Sequence, residues 1–429
     1  MTTLPPSTEE PWHARLTETE LAYSRFVPRQ FLNLLGVEDI RKVKVSQQVE
    51  CEMTILFADI RDFTTLAETI SPQEVLNFLN SYLDQMEPVI TAHGGIIDKY
   101  IGDAIMALFP ASSDDALRCS LAMLSKLDEY NSGRERAGYT PIRIGIGINT
   151  GIVTLGMVGG RDRMDGTVIG DAVNLASRLE RLTKFYDVSV LTSEHTLQSL
   201  TDPTPWLVRL IDRANVRGKQ NHQPVFEVFN SNPPDIRNIK QQNIELFEKA
   251  LAHYQLGDLA GARARLNVCH MEMPDDHPTR MYLEYCGAPN TGSAQIDLAA
   301  PWRNEFVTGD PAIDSEHRTM LFGLNALARA IYLGSSSLVP LLMPKIILAT
   351  ERTFAAEEAI MKTNNYQFRD LHFRQHRYFM ATLTAMQQEL AQGSDDSIHT
   401  AFRVRQRLTD WLIDHILTAD RHLTYRHIL

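Results

Sequence analysis

The sequence predicts a mixed α/β (α+β) domain of βαββαβ order, followed by a short helical pair and an all-α four-helix bundle. Three observations carry this reading. Apolar runs of strand length end at acidic residues, in Met53-Thr54-Ile55-Leu56-Phe57-Ala58-Asp59 and again around Gly102-Asp103. Between and after these runs, apolar residues recur at helical spacing. Beyond about residue 235 only the helical period remains.

A chain of 429 residues with 44% apolar composition holds enough material for two to four domains with ordinary cores. Its formal net charge of -11, without a block of basic residues, argues against nucleic acid or anionic lipid as a partner. No apolar run reaches the roughly eighteen residues of a membrane span. The opening Met1-Thr2-Thr3-Leu4-Pro5-Pro6-Ser7 lacks the basic and apolar regions of a signal peptide, so a cytoplasmic location is expected. Cys51, Cys119, Cys269 and Cys286 form no C-x-x-C pair and are expected to be reduced core thiols.

In chain order, residues up to about 15 read as a mobile tail, and Leu16 to Ile40 as a helical lead-in carrying Phe31, Leu32 and Leu35. The main domain is expected over residues 46–230. Its first strand ends at Asp59. Ser71-Pro72 then caps a helix running to Ile90, with Phe78, Met86 and Ile90 on its apolar face. Two short strands joined at Gly102-Asp103 form a hairpin with Asp103 at its tip. A second helix spans Ser113 to Asn131. Arg143 to Asn149 alternates as a strand, Asn149-Thr150-Gly151 is expected to turn, and Ile152 to Val158 to return as another strand. Strand-helix-strand-strand-helix-strand is the ferredoxin-like order.

Two carboxylates delivered by neighbouring buried strands repel each other unless a cation lies between them, which points to hard, oxygen-preferring ions and a phosphate substrate. The residues carrying this pattern, Phe57-Ala58-Asp59-Ile60-Arg61-Asp62-Phe63-Thr64 and Asp98-Lys99-Tyr100-Ile101-Gly102-Asp103-Ala104-Ile105-Met106-Ala107-Leu108-Phe109, resemble the catalytic domain of the class III nucleotide cyclases. A second stretch, Thr167-Val168-Ile169-Gly170-Asp171-Ala172-Val173-Asn174-Leu175-Ala176-Ser177-Arg178-Leu179-Glu180, resembles another motif of that family. The resemblance implies that Asp59, Ile60 and Asp103 hold two Mg2+ or Mn2+ ions, that Asn174 orients the ribose and that Arg178 steadies charge on the α-phosphate. It also implies that Lys99 and Thr167 read the purine.

A lysine can donate to adenine N1 and a threonine hydroxyl can accept from the 6-amino group, so ATP is expected rather than GTP. The threonine at 167 resembles the subgroup that responds to bicarbonate, which is carried as a candidate effector. The resemblance further implies a homodimer with shared sites, Asp59 and Asp103 coming from one protomer and Lys99, Thr167, Asn174 and Arg178 from the other. One chain holding both sets would build two equivalent sites. The alternatives are a guanylate cyclase, or a non-catalytic oxygen- or iron-binding protein that uses this fold to dimerise.

After the linker Asn230-Ser231-Asn232-Pro233-Pro234-Asp235, a helical pair over residues 235–288 turns at Gly257-Asp258 and looks like one tetratricopeptide unit, read as a bridge between domains. Gly287 to Ala300 reads as the next boundary. From residue 300, four helical segments bear Asp314-Ser315-Glu316-His317, Phe354-Ala355-Ala356-Glu357-Glu358, His372-Phe373-Arg374-Gln375-His376 and Trp411-Leu412-Ile413-Asp414-His415-Ile416-Leu417-Thr418-Ala419-Asp420. These resemble the bacterial hemerythrins, which implies non-haem iron held by His317, Glu357, His372, His376, His415 and Asp420, with oxygen or another small ligand as a partner. The chain departs from that pattern at Thr353, where a histidine is expected and threonine is a poor iron ligand. Two irons, one or none are therefore all open.

Overall fold

A computed structural model describes residues 29–37, 39–44, 47–160, 164–215, 222–287, 296–393 and 395–425. The expected mobile tail and the lead-in up to residue 28 lie outside the described residues, as do residues 288–295 of the expected boundary. The chain forms two compact units, one of Met1–Val208 with Glu227–Ser231 and one of Arg209–Phe226 with Asn232–Leu429.

The first unit runs α1 (Arg29–Leu34), β1 (Gln48–Ile60), α2 (Phe63–Glu68), α3 (Pro72–Ala92), β2 (Ile96–Ile101), β3 (Ala104–Phe109), α4 (Ser113–Arg136), β4 (Ile144–Gly159), β5 (Met164–Ile169), α5 (Asp171–Tyr186), β6 (Val190–Ser193) and α6 (Glu194–Gln198). Its strands lie in the order β2-β3-β1-β4-β6, with β5 also paired to β4. The alternation along β1 sets the layers. Leu56, Ala58 and Ile60 pack with Phe78, Tyr82 and Met86 of α3 and with Ala116, Leu117 and Met123 of α4. Met53, Ile55 and Phe57 face the other way, toward Phe31 of α1 and Ala172 and Ala176 of α5. Helix α3 starts where Ser71 predicts, in a capping box with Glu74 and with Pro72 in its first turn.

One expectation is overturned. Asn149-Thr150-Gly151 does not turn: β4 is continuous and pairs with β1 in register from Gln48↔Gly156 to Ile60↔Ile144, through Thr54↔Thr150. Side-chain bonding holds these turn-prone residues extended. Thr150 Oγ1 lies 2.8 Å from Thr54 Oγ1, and Asn149 Nδ2 donates to the Ala172 carbonyl at 2.9 Å, both in the buried interior. A polar triplet satisfied in this way loses its reason to leave the sheet.

The second unit carries most of the hairpin β7 (Val208–Asn215) and β8 (His222–Val228), then α7 (Pro234–Gln255), α8 (Leu259–Glu272) and α9 (His277–Gly287). Gly257 takes φ +86 and Asp258 caps α8 by accepting from Gly261 N, as the Gly257-Asp258 turn predicts. The reading of a simple pair missed α9, whose periodicity is broken by Pro274 and Pro278. Tyr282 of α9 donates from its hydroxyl to the Ile211 carbonyl at 3.0 Å, and Arg209 of β7 bonds Asp276 at 2.6 Å. The helices that follow are α10 (Pro311–Tyr332), α11 (Val339–Thr363), α12 (Arg369–Gln392), α13 (Ser397–Val404), α14 (Trp411–His415) and α15 (Arg421–Tyr425). Arg405–Asp410 and Ile416–Asp420 are π-helical, so residues 397–425 form one helical run with two widened turns around α14. These helices share a core containing Leu321, Leu324, Met343, Phe379, Leu383, Leu408 and Leu412. Among the described residues no helix is long and apolar enough to cross a membrane.

Candidate active site and a buried histidine-carboxylate cluster

In the first unit, β1 delivers Asp59 one residue before its end, and Gly102, at φ +67, makes the β2-β3 turn that presents Asp103. The Asp103 carboxyl is near enough to Asp59 to raise it, as a hydrogen-bonding neighbour and as a charge. Burial, then the bond to and charge of Asp103, then the charge of Glu180 push Asp59 up to about 7. Asp59 Oδ1 also accepts from Ile60 N at 3.1 Å, while the Ile60 side chain is buried on the α3-α4 face, leaving only its main chain for a ligand. Two neighbouring carboxyls in a half-buried site, one of them raised, are the arrangement a divalent cation relieves, so these residues fit the metal that the resemblance implies.

Glu180 is a third carboxyl near this pair that the sequence reading left without a role. Burial and the Asp103 charge push it up to about 7, against the opposing pull of Arg181 and Arg61. Tyr82 is fully buried and its phenol is raised by burial and by the charges of Asp59 and Asp103.

Helix α5 lies directly on β4. A Cβ at Gly147 would stand 2.1 Å from Glu180 N, and one at Gly145 would stand 2.0 Å from Thr183 Oγ1. Arg61, whose side chain is 8% exposed, holds the far end of α5: it pairs with Asp187 at 2.8 Å and donates to the carbonyls of Thr183 (3.0 Å) and Val188. A cation bonded to the last carbonyls of a helix suits the helix dipole. Lys184 adds a 2.6 Å pair with Asp62. Asn174 and Arg178 stand one turn apart on the helix fixed in this way, Asn174 exposed and Arg178 half-exposed.

Lys99 and Thr167 come together, with Lys99 Nζ donating to Thr167 Oγ1 at 2.7 Å. The β2-β3 pairing is irregular between Ile97 and Lys99, and Asp98 sits in that irregularity. Its carboxylate, 1% exposed, reaches Lys99 Nζ at 3.3 Å. Neither the irregularity nor Asp98 was singled out from the sequence.

In the second unit, the histidines and acids selected by motif converge. His317 comes from α10, Glu357 from α11, His372 and His376 from α12, His415 from α14 and Asp420 from the π-helical turn after it. All are buried. His317 Nε2 lies 2.9 Å from Glu357 Oε1 and 3.3 Å from Asp420 Oδ2. His372 Nε2 lies 3.1 Å from Asp420 Oδ1, His376 Nε2 3.1 Å from Glu357 Oε2, and His415 Nε2 3.4 Å from Asp420 Oδ1.

Burial lowers His376 to about 4 and His415 to about 3, so both rings are neutral and present a lone pair. Burial would lower His317 too, but its bonds to Asp420 and Glu357 prevail and hold it near 10. Nε2 of His372, His376 and His415 and Oε2 of Glu357 make no hydrogen bond within this buried site. Ring nitrogens and a carboxylate oxygen converging at about 3 Å without a hydrogen bond fit a cation. Phe354 stacks on His376 with ring centroids 3.8 Å apart and Trp411 on His415 at 4.6 Å, which fixes both ring planes.

Against known proteins, the model of the adenylate and guanylate cyclase catalytic domain matches residues 45–227. An adenylate cyclase of Anabaena cylindrica is 42% identical over 220 residues, which are 50% of this chain and 44% of that protein. The terminal-differentiation specific adenylate cyclase of Dictyostelium discoideum is 35% identical over 278 residues, 63% of this chain and 13% of the relative. The crystal structure of the adenylyl cyclase CyaB from P. aeruginosa is 31% identical and covers 42% of this chain and 95% of its own, with a TM-score of 0.38. The chain thus spans less than half the length of these two curated relatives. Over residues 45–227 the chain carries an adenylate and guanylate cyclase catalytic domain of class III.

Proposed function

We propose that this chain is an adenylate cyclase that closes ATP to cyclic AMP and releases pyrophosphate. The observation that carries the proposal is the Asp59-Asp103 pair, two neighbouring carboxyls with Asp59 raised to about 7, within a domain similar to those of curated proteins named adenylate cyclases. When bound, Mg2+ or Mn2+ supplies the positive charge that activates the ribose 3′-oxygen and neutralises the phosphates. Asp59, Asp103 and the Ile60 carbonyl would hold those ions. Arg178, a permanently charged planar donor, stabilises the charge that builds on the α-phosphate, and Asn174 orients the ribose. Lys99 donates toward adenine N1, and Thr167, which accepts from Lys99, is left to meet the 6-amino group. Residues of two protomers complete each site in a homodimer. Purified protein supplied with Mg2+ or Mn2+ and either ATP or GTP tests this reading; formation of cyclic GMP, or of no cyclic nucleotide, sinks it.

For the second unit, the proposal is a hemerythrin-like bundle whose iron state, under oxygen or redox control, adjusts cyclic AMP output. It is supported by the buried set of four histidines and two acids with unbonded ring nitrogens. Iron content and visible absorption of protein produced with iron, compared with cyclic AMP formation by loaded and metal-depleted protein, test it. A colourless, metal-free preparation defeats the iron reading, and equal rates in both states defeat the regulatory one.

A further inference from the structure

We infer that Asp98 is a positioning residue that sets the choice of base: its buried carboxylate draws the Lys99 ammonium and the Thr167 hydroxyl proton to itself, so that the pair faces the nucleotide as one donor beside one acceptor. The inference rests on the adenylate cyclase reading of the first unit.

The irregularity of β2 is what puts Asp98 there. Adjacent residues of a regular strand point to opposite faces of the sheet. Here Ile97 pairs with Ala107 and Lys99 with Met106, so Asp98 is an extra residue without a partner in the register, and its carboxylate comes within 3.3 Å of the Lys99 ammonium. The Asp98 side chain is 1% exposed and, among the described residues, neither of its oxygens completes a hydrogen bond. Burial pushes the carboxyl up, while Lys99 as a charge, and Lys99 and Thr167 as hydrogen-bonding neighbours, pull it back. A buried carboxylate in that position claims the nearest protons, because an unsatisfied buried acceptor is costly.

The count of donors and acceptors then closes. An ammonium has three N–H groups: one goes to Thr167 Oγ1 at 2.7 Å, one toward Asp98, and the third is left for a base. A hydroxyl has one proton and two lone pairs. Lys99 occupies one lone pair of Thr167, Asp98 draws the proton, and the second lone pair is left for the base. Without Asp98 the hydroxyl is free to turn its proton outward and donate. Adenine brings an acceptor at N1 and a donor at its 6-amino group, which meets the order that Asp98 imposes. Guanine brings N1–H and O6, which opposes it at both atoms. The carboxylate thus excludes the one rotation through which Thr167 would bond guanine O6.

The test uses the full-length protein and measures kcat and KM with ATP and with GTP under the same Mg2+ or Mn2+. Asp98→Asn keeps the size of the side chain but offers the hydroxyl an amide N–H. It should lower the ratio of kcat/KM for ATP over GTP by about tenfold or more, the order of one polar contact, with the change carried by KM. Thr167→Val should also lower the ratio, and adding Asp98→Asn to it should lower it by only about threefold or less, since the hydroxyl through which Asp98 acts is gone. Circular dichroism and thermal unfolding establish that each variant is folded, and Asp98→Ser takes the place of an unfolded Asp98→Asn. An unchanged ratio in the folded variant, or the same fall with and without the Thr167 hydroxyl, would overturn the inference and leave the adenylate cyclase reading intact. No cyclic AMP from the parent protein would overturn that reading, and this inference with it.

Discussion

Lys99 Nζ donates a 2.7 Å hydrogen bond to Thr167 Oγ1 across 68 positions of sequence. The ammonium is also held at 3.3 Å by the buried Asp98 carboxylate, so its direction is set before any base arrives. Preorganised donors discriminate because the wrong base leaves them unpaired. Lys99→Ala is expected to lower kcat/KM for ATP by roughly ten- to a hundredfold, the order of one lost polar contact. Lys99→Glu is expected to shift the ATP to GTP ratio toward GTP. Steady-state rates with both nucleotides check this, and an unchanged ratio in both variants would remove Lys99 from base selection.

If each site takes its acids from one protomer and its guanidinium from the other, Asp59→Ala and Arg178→Ala are each inactive as homodimers. Mixed, they should regain activity, because one of the two sites in the heterodimer is intact. A verified heterodimer without cyclic AMP formation would end the shared-site reading.

Arg61 carries no charge to the substrate in this account, yet it bonds Thr183, Asp187 and Val188 at the end of the helix bearing Arg178. Arg61→Leu should lower kcat while the KM for ATP changes less, and should destabilise the fold by about 2 kcal/mol as helix-end carbonyls lose their donor. Thermal unfolding and kinetics together check this. Normal kcat in a folded variant would confine Arg61 to packing.

Arg209 and Asp276 form an ion pair in the second unit in which both side chains are 5% exposed. Burial alone would raise Asp276, but the Arg209 charge and hydrogen bonds outweigh it and bring the acid down to about 2. The folded state therefore binds this proton less readily than the unfolded state. The stability gained is present above about pH 4 and is lost as pH falls toward 2. Asp276→Ala, which strands a buried guanidinium, should cost roughly 3–5 kcal/mol at neutral pH. The parent should lose its advantage over the variant below pH 4 in chemical denaturation. A difference independent of pH would mean that the carboxylate is not the source.

Motif letters located Asp59, Asp103, Lys99, Thr167, Asn174 and Arg178, and helical periodicity placed His317, the His372-His376 pair and His415 on helices, because such features live in short stretches of chain. Glu180 was given no role in the site since its environment comes from Gly147 beneath it and Asp103 near it, partners far off in sequence. The misread turn at Asn149 failed for the same reason: Thr54 and Ala172, remote in sequence, supply the hydrogen bonds that keep the strand straight.

Local pattern was thus enough to name the first strand, the two long helices and the Gly102-Asp103 hairpin of the first unit, its acidic pair and the metal-ligand candidates, since strand alternation, caps and i,i+4 faces depend on near neighbours. Packing alone settled that Lys99 meets Thr167 and that Arg61 clamps α5. Those outcomes hinge on which distant groups arrive to satisfy a buried donor or acceptor, and no window along one chain contains that information.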